Sequence, residues 1–359
     1  MVAFIGLGLI IFVHEFGHFI AGKLMGLKIR EFMFGLPGPR IFSFKWGETE
    51  YGATYIPFGG YVRFAGTESE LQMEEDEEDR DTPPERKYDT LPKWKKSLVM
   101  IAGPVMNLLF PILLVSLLLA VQGQQYLQPV IGEVVKGSAA QEVGIKKGDR
   151  IVSANGDDIK TWTDLTDHLR ESPGKQVRLT IERGDETLTF TPKLGVKDGR
   201  GFLGVSPSED EKPIVKREPV HLALYKGTLL TYDMTKFLVV TLYHVITQDS
   251  GQLTESSRGP VGIIDETARI AEQDFWQFIG VLAFLSINLG VLNLLPIPPL
   301  DGGRLAILGV EGIIRRPINK KLVFGINAAG MALLLTLMFY LIVMDVGRIF
   351  TRTVGNGGG

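Results

Sequence analysis

The sequence predicts a polytopic α-helical membrane protein of about four transmembrane helices, with a membrane-associated β-hairpin or sheet and an inserted α+β domain. Three observations predict it. The chain has 359 residues, 45% of them hydrophobic, and a positive mean hydropathy, which allows two or three modules and is apolar for a soluble protein. Four stretches are long and apolar enough to cross a bilayer: Val2 to about Leu24, Ser97–Val121, Phe275–Leu295 and Leu322–Val346. Between the second and third, turn residues punctuate short strand-like and helix-like runs, the pattern of a compact domain.

The first span contains His14-Glu15-Phe16-Gly17-His18. Residues four apart share a helix face, so both imidazoles can reach one ion, and the intervening carboxylate can address water there as general base. Ionisable groups at that depth are costly unless they serve something. The alternative is that the two histidines, of five in the chain, are polar packing residues of a helix bundle. The segment does not read as a cleaved leader, since it lacks a basic start and cleavage would destroy the motif. There is no cysteine, so disulfides, thiol catalysis and cysteine metal ligands are excluded.

The span is followed by Lys23, Lys28, Arg30, Arg40, Lys45 and Arg63, and Lys93, Lys95 and Lys96 precede the second. Arg304, Arg315, Arg316, Lys320 and Lys321 lie between the third and fourth. Both connections are therefore expected in the cytoplasm, with both termini and the long central segment outside. Lys28–Phe34 and Arg40–Trp46 alternate like strands. Residues 51–64 read as strand, Pro-Gly-Gly turn, strand, a hairpin that either dips into the bilayer or lies in the cytoplasm. An open edge there is a ready place for an extended substrate. The acidic loop 74–84 reads as solvated.

In the central segment, Val130–Val135 is expected as a strand, Gly137–Gly144 as a capped short helix and Lys147–Gly156 as turn, strand, turn. Leu165–Glu171 is expected as a helix, and Gln176–Arg183 with Glu186–Pro192 as a hairpin across Gly184-Asp185. The string GSAAQEVGIKKGDRIVSANGDDI resembles a PDZ domain, placed at 123–207, and Gly201–Val205 resembles the carboxylate-binding loop of the permuted bacterial type. Such modules take a peptide tail by strand addition, although a domain that only fills space is a rival reading. Residues 208–273 follow as an amphipathic helical linker.

A catalytic zinc site needs a third protein ligand. The third span ends in a polar, proline-broken cluster of Asn288, Asn293, Pro296, Pro298 and Asp301. On the sequence alone, Asp301 reads equally as a ligand and as the N-cap of the next helix; zinc's need for a third ligand favours the former. The terminal stretch 351–359 is expected as a flexible tail. No basic field argues for nucleic acid at a net charge of −3.

HEFGH, PFGGYVRFAG, AGPVMN and SINLGVLNLLPIPPLDGG occur in this order, and together the chain resembles the site-2 protease family of intramembrane zinc metalloproteases. More narrowly, it is similar to the bacterial regulator-of-sigma-E protease group, in a form with one PDZ domain where the best-known members carry two. The resemblance implies one zinc per chain on His14, His18 and Asp301, with Glu15 as general base. It implies that Asn288 and Asn293, with Pro296 and Pro298, bind the substrate backbone or stabilise the oxyanion, and that Gly59, Gly60 and Tyr61 receive the unwound substrate. The expected setting is a bacterial cytoplasmic membrane, with 1–122 and 274–350 as two halves of a protease core. The expected partners are single-span membrane proteins, such as anti-sigma factors, or remnant signal peptides. A peptide tail at the PDZ domain would be another.

Overall fold

The computed structural model describes residues 2–56, 59–66, 79, 81–197, 199–247 and 260–356. The chain divides into two units, Met1–Leu118 with Val220–Gly359, and Leu119–Pro219.

In the first unit, α1 (Val2–Leu24) has two unlike faces. Val2, Phe4, Ile5 and Ile20 are exposed, while the buried face is made of Gly6, Gly8, Gly17 and Gly22 with Ile10, His14 and His18. Small residues let neighbouring backbones approach closely, which drives helix association where lipid removes the hydrophobic incentive. A Cβ on Gly17 would press on the Ala102 carbonyl, and one on Gly22 on the Phe64 ring. Ala102 belongs to α2 (Lys93–Leu117), which continues as a π-helical turn over Leu118–Gln122.

Four strands connect these helices: β1 (Ile29–Phe34), β2 (Arg40–Trp46), β3 (Thr49–Thr54) and β4 (Gly60–Phe64). Their order in the sheet is β2-β3-β1-β4. The expected 51–64 hairpin is therefore not formed. β3 runs parallel to β1, β4 runs antiparallel to it, and β1 separates them. The physical reason is β1 itself. Its Ile29 and Met33 are fully buried and Phe32 nearly so, as in a central strand covered on both faces, which is paired on both edges. The sheet lies along α1 through rings spaced for one helix face: Phe12, Phe16 and Phe19 meet Phe32 at centroid distances of 4.9, 6.1 and 4.6 Å. His14 and His18 project from another side of the same helix. Pro57 and Phe58 of the expected turn lie outside the described residues, as does most of the acidic loop. Its described end is tied down: the buried Asp79 carboxylate accepts from Arg30 Nε (2.9 Å) and from the Gly66 N–H, and pairs in charge with the Arg30 guanidinium.

The second half of this unit comprises α5 (Val220–Thr247), α6 (Pro260–Gln273), α7 (Phe275–Leu294), α8 (Asp301–Ile314) and α9 (Lys320–Asn356). Asp274 caps α7 through the N–H groups of Trp276 and Gln277. Val2–Leu24, Lys93–Gln122, Phe275–Leu294 and Lys320–Asp345 are long and apolar enough to cross a membrane, matching the four expected stretches. The last helix continues to Asn356, into the expected tail, because Arg348–Val354 contains no helix breaker.

The inserted unit holds β5 (Gln124–Tyr126), β6 (Ile131–Val134), α3 (Ala139–Glu142), β7 (Arg150–Ala154), β8 (Asp157–Asp158) and α4 (Trp162–Arg170), then β9 (Leu179–Arg183) and β10 (Glu186–Phe190). Four short strands follow: β11 (Gly195–Lys197), β12 (Arg200–Phe202), β13 (Val205–Pro207) and β14 (Ile214–Lys216). The main sheet is β10-β9-β7-β8, β13 pairs with β6, and β14 with β5. The unit thus runs past the expected end at 207 to Pro219, because β14 returns to pair with β5. Ile131, Ile151, Leu165, Leu179, Ile181 and Leu203 form its core, and a Thr161–Asp164 capping box starts α4.

Asp149, also in this unit, is fully buried. Burial opposes its charge, but hydrogen bonds from Arg183 and the Lys146 N–H outweigh that and hold the carboxyl below its usual range. A group depressed on folding stabilises above its unfolded pKa of ~3.9 and loses that contribution as the pH falls through the folded value. Asp149→Ala is expected to destabilise the unit by about 1–3 kcal/mol at neutral pH. That deficit is expected to shrink below about pH 4, which thermal melting across a pH series would show.

Candidate metal centre

The expected helix spacing places His14 and His18 on one face of α1, and the turn after α7 brings Asp301 to them. His14 Nε2 stands 3.0 Å from Asp301 Oδ2, His18 Nε2 3.2 Å from the same oxygen, and the two nitrogens are 3.2 Å apart. Ligand atoms held ~2.0–2.1 Å from a tetrahedral ion stand roughly 3.3 Å from one another. The nearly equilateral triangle is therefore the size of three corners of such a site, with the fourth free for water or substrate. The donor set fits as well. Asp301 Oδ2 is buried without a hydrogen-bond donor, and His18 Nδ1–H donates to the Val99 carbonyl at 2.7 Å, which leaves the His18 Nε2 lone pair facing the triangle. Among the described residues, this is the one group of three His, Asp or Glu side chains close enough to share an ion.

Asp301 is not the N-cap of its helix. Leu300 occupies that position and Asp301 lies in the first turn of α8, so its carboxylate is free to face the histidines. The two glycines behind it make the turn feasible. A Cβ on Gly302 would press on the Leu294 and Leu295 backbone, and one on Gly303 would lie 2.6 Å from Pro298 N.

A cavity of about 290 Å³ opens on the triangle and takes in Glu15, Asn293 and Arg304. The Glu15 carboxylate faces the backbone of Val62, which lies on β4, an edge strand bonded only to β1. Val62 and Phe64 line the cavity. Gly59 and Gly60 instead pack on Ile11 and Phe12, and the Tyr61 hydroxyl donates to Glu31 at 2.9 Å. Gly59, Gly60 and Tyr61 thus do not line the cavity, and Tyr61 lies on the opposite face of the strand from Val62 and Phe64. Asn288 is also outside the cavity, with its amide donating to the Phe284 carbonyl one turn back in α7. Asn288 and Asn293 are five residues apart, about 140° around a helix, and cannot face one cavity. Pro296 and Pro298 shape the turn without lining the cavity, whereas Pro299 does line it.

Three contributors carried no role in the sequence reading. Tyr88 lines the cavity, and burial pushes its phenol up to about 12, so it remains a donor. Asn107 is fully buried beside His14. Gly103 lies against both imidazoles. A Cβ there would sit 2.9 Å from His14 Cε1 and closer still to His18 Nε2. Gly103→Ala is therefore expected to lower metal content well below one ion per chain in purified protein while the helices persist. Metal analysis alongside circular dichroism checks both.

The sequence profile of peptidase family M50 matches residues 2–337. The chain is 30% identical to the regulator of sigma-W protease RasP of Bacillus subtilis over 418 aligned residues, covering 96% of this chain and 97% of that one. It is also 30% identical to the zinc metalloprotease RasP of Bacillus licheniformis over 416, covering 96% and 97%. A solved PDZ domain of an SdrC-like protein from Listeria monocytogenes is 22% identical over 24% of this chain and 90% of that one. Its TM-score of 0.20 is too slight a likeness to argue from.

Proposed function

The chain belongs to peptidase family M50, the site-2 proteases, and from that premise we propose that it cuts the transmembrane segments of single-span membrane proteins near the cytoplasmic face. It is an intramembrane zinc metalloprotease. The observation that carries the further reading is the triangle of His14, His18 and Asp301, with Glu15 beside it at the edge of a sheet. His14, His18 and Asp301 would hold the zinc. When bound, zinc supplies a Lewis acid that polarises the scissile carbonyl and acidifies water.

This chain's residues do the rest. Glu15 takes the proton of the attacking water and delivers it to the leaving amine. The Val62 backbone lies beside the carboxylate that does so. Asn293 and Tyr88 offer donors for the carbonyl oxygen as its charge develops, and such a donor contributes about 3 kcal/mol. A transmembrane substrate hides its amides in its own helix. Unwinding it beside β4 replaces those hydrogen bonds with strand pairing and holds the bond in place.

The Lys and Arg residues after α1 put the site towards the cytoplasm and the inserted unit outside. There the unit, read as a single PDZ domain, restricts access to substrates whose outer part has been trimmed, or grips their new tail near Gly201–Val205. Membrane-tethered regulators of sigma factors fit this substrate class, as the Bacillus subtilis relative's name suggests.

The test uses purified protein in liposomes and two single-span reporters that differ only in the length of the outer tail. The short-tailed reporter is expected to be cut several-fold faster, with both cuts abolished by a zinc chelator. Equal rates would remove the trimming requirement, and chelator-resistant cutting would remove the metal mechanism.

A further inference from the structure

We infer that Asn107 is a positioning residue for the metal centre, accepting the His14 Nδ1–H through its side-chain oxygen and so fixing the imidazole tautomer whose Nε2 faces the ion. This rests on the reading of His14, His18 and Asp301 as zinc ligands.

The two histidines are held from behind by different means. His18 Nδ1–H donates to a backbone carbonyl, that of Val99. Among the described residues, no such carbonyl serves His14. Its Nδ1 meets the Asn107 amide at 3.3 Å. Asn107 is fully buried, and its backbone is held from α7, where the Ser286 hydroxyl donates to the Asn107 main-chain carbonyl at 2.9 Å. Ser286 is itself fully buried. Two spans thus meet at the residue whose side chain faces the rear of His14.

The two ends of an amide are nearly equal in shape, so the pocket accepts either orientation. With Nδ2 towards the ring, His14 Nδ1 must be the acceptor, and the ring proton moves to Nε2, which points into the triangle. With Oδ1 towards the ring, Nδ1 carries the proton and Nε2 presents its lone pair. Only the second arrangement lets His14 join His18 and Asp301 on one ion. With Nδ2 towards the ring, Oδ1 is buried without a partner. Turning the amide exchanges one unpaired end for the other, so the ligand requirement of the ring decides between them. Groups that orient a metal-bound histidine in this way contribute about 10–100-fold to metal affinity.

Asn107→Leu, Asn107→Ala and Asn107→Asp separate this role from packing. Leucine fills the site, alanine empties it, and both remove the acceptor. Aspartate keeps an acceptor but buries a charge, which a purely structural site would tolerate least. Zinc affinity of the full-length protein in detergent is measured by competition with a chelator of known affinity, beside the melting temperature of each metal-free variant. The leucine and alanine variants are expected to bind zinc about 10–100-fold more weakly, and the aspartate variant within about threefold of wild type. The inference is overturned if either acceptor-free variant binds within about twofold of wild type, or if the aspartate variant binds as weakly as they do. A wild type that holds no zinc would overturn the ligand reading as well.

Discussion

Glu15→Gln is expected to abolish peptide-bond cleavage while leaving one zinc per chain. Glutamine keeps the size of the side chain and an oxygen that can face the Val62 backbone. It removes only the basicity. A general base contributes about 10²–10⁴-fold, and here the same group also serves as the acid for the leaving amine, so the loss belongs at or above the upper end. Glu15 lines the cavity beside the triangle without being one of its corners. Metal content should therefore stay at the wild-type level. Turnover of a mapped reporter and zinc analysis on the same preparation check both halves, and a variant that loses zinc would make Glu15 a ligand instead.

Asp301→Ala is expected to empty the centre. Two imidazoles remain, but the corner that closes the triangle at 3.0 and 3.2 Å is gone, and a two-ligand site gives up most of its hold on zinc. Activity should fall to background, and excess zinc should restore little of it. The fold should persist, because Asp301 does not cap its helix; Leu300 stands at that position. Asp301→Ala removes a buried carboxylate whose Oδ2 has no hydrogen-bond donor. The metal-free variant should therefore melt no lower than metal-free wild type. A variant that retains stoichiometric zinc would mean that another group closes the site.

Much of this centre was legible because it is local. The His14–His18 spacing is a helix property, and Asp301 stood out as an acid at the end of an apolar run. The spans follow from length and composition alone. The sheet order was not legible. Strand pairing is non-local, and nothing in Thr49–Thr54 or Gly60–Phe64 says that Ile29–Phe34 will insert between them. Tyr61 was expected at the site, whereas Val62 lines the cavity and alternation sets Tyr61 on the opposite face of the strand. Asn288 could have been set aside on helix periodicity. Gly103 and Asn107 sat in a motif already noted, yet their meaning depends on α2 meeting the histidine face of α1, which no local pattern states.

The central claim is that this centre cuts within the bilayer. The most direct test is to map, by mass spectrometry, the bond cut in a single-span reporter incubated with the protein in liposomes. The account predicts one main cut inside the span, towards its cytoplasmic end, present with wild type and absent with Glu15→Gln and with chelator. A cut confined to the soluble flanks, or one that survives in Glu15→Gln, would contradict it.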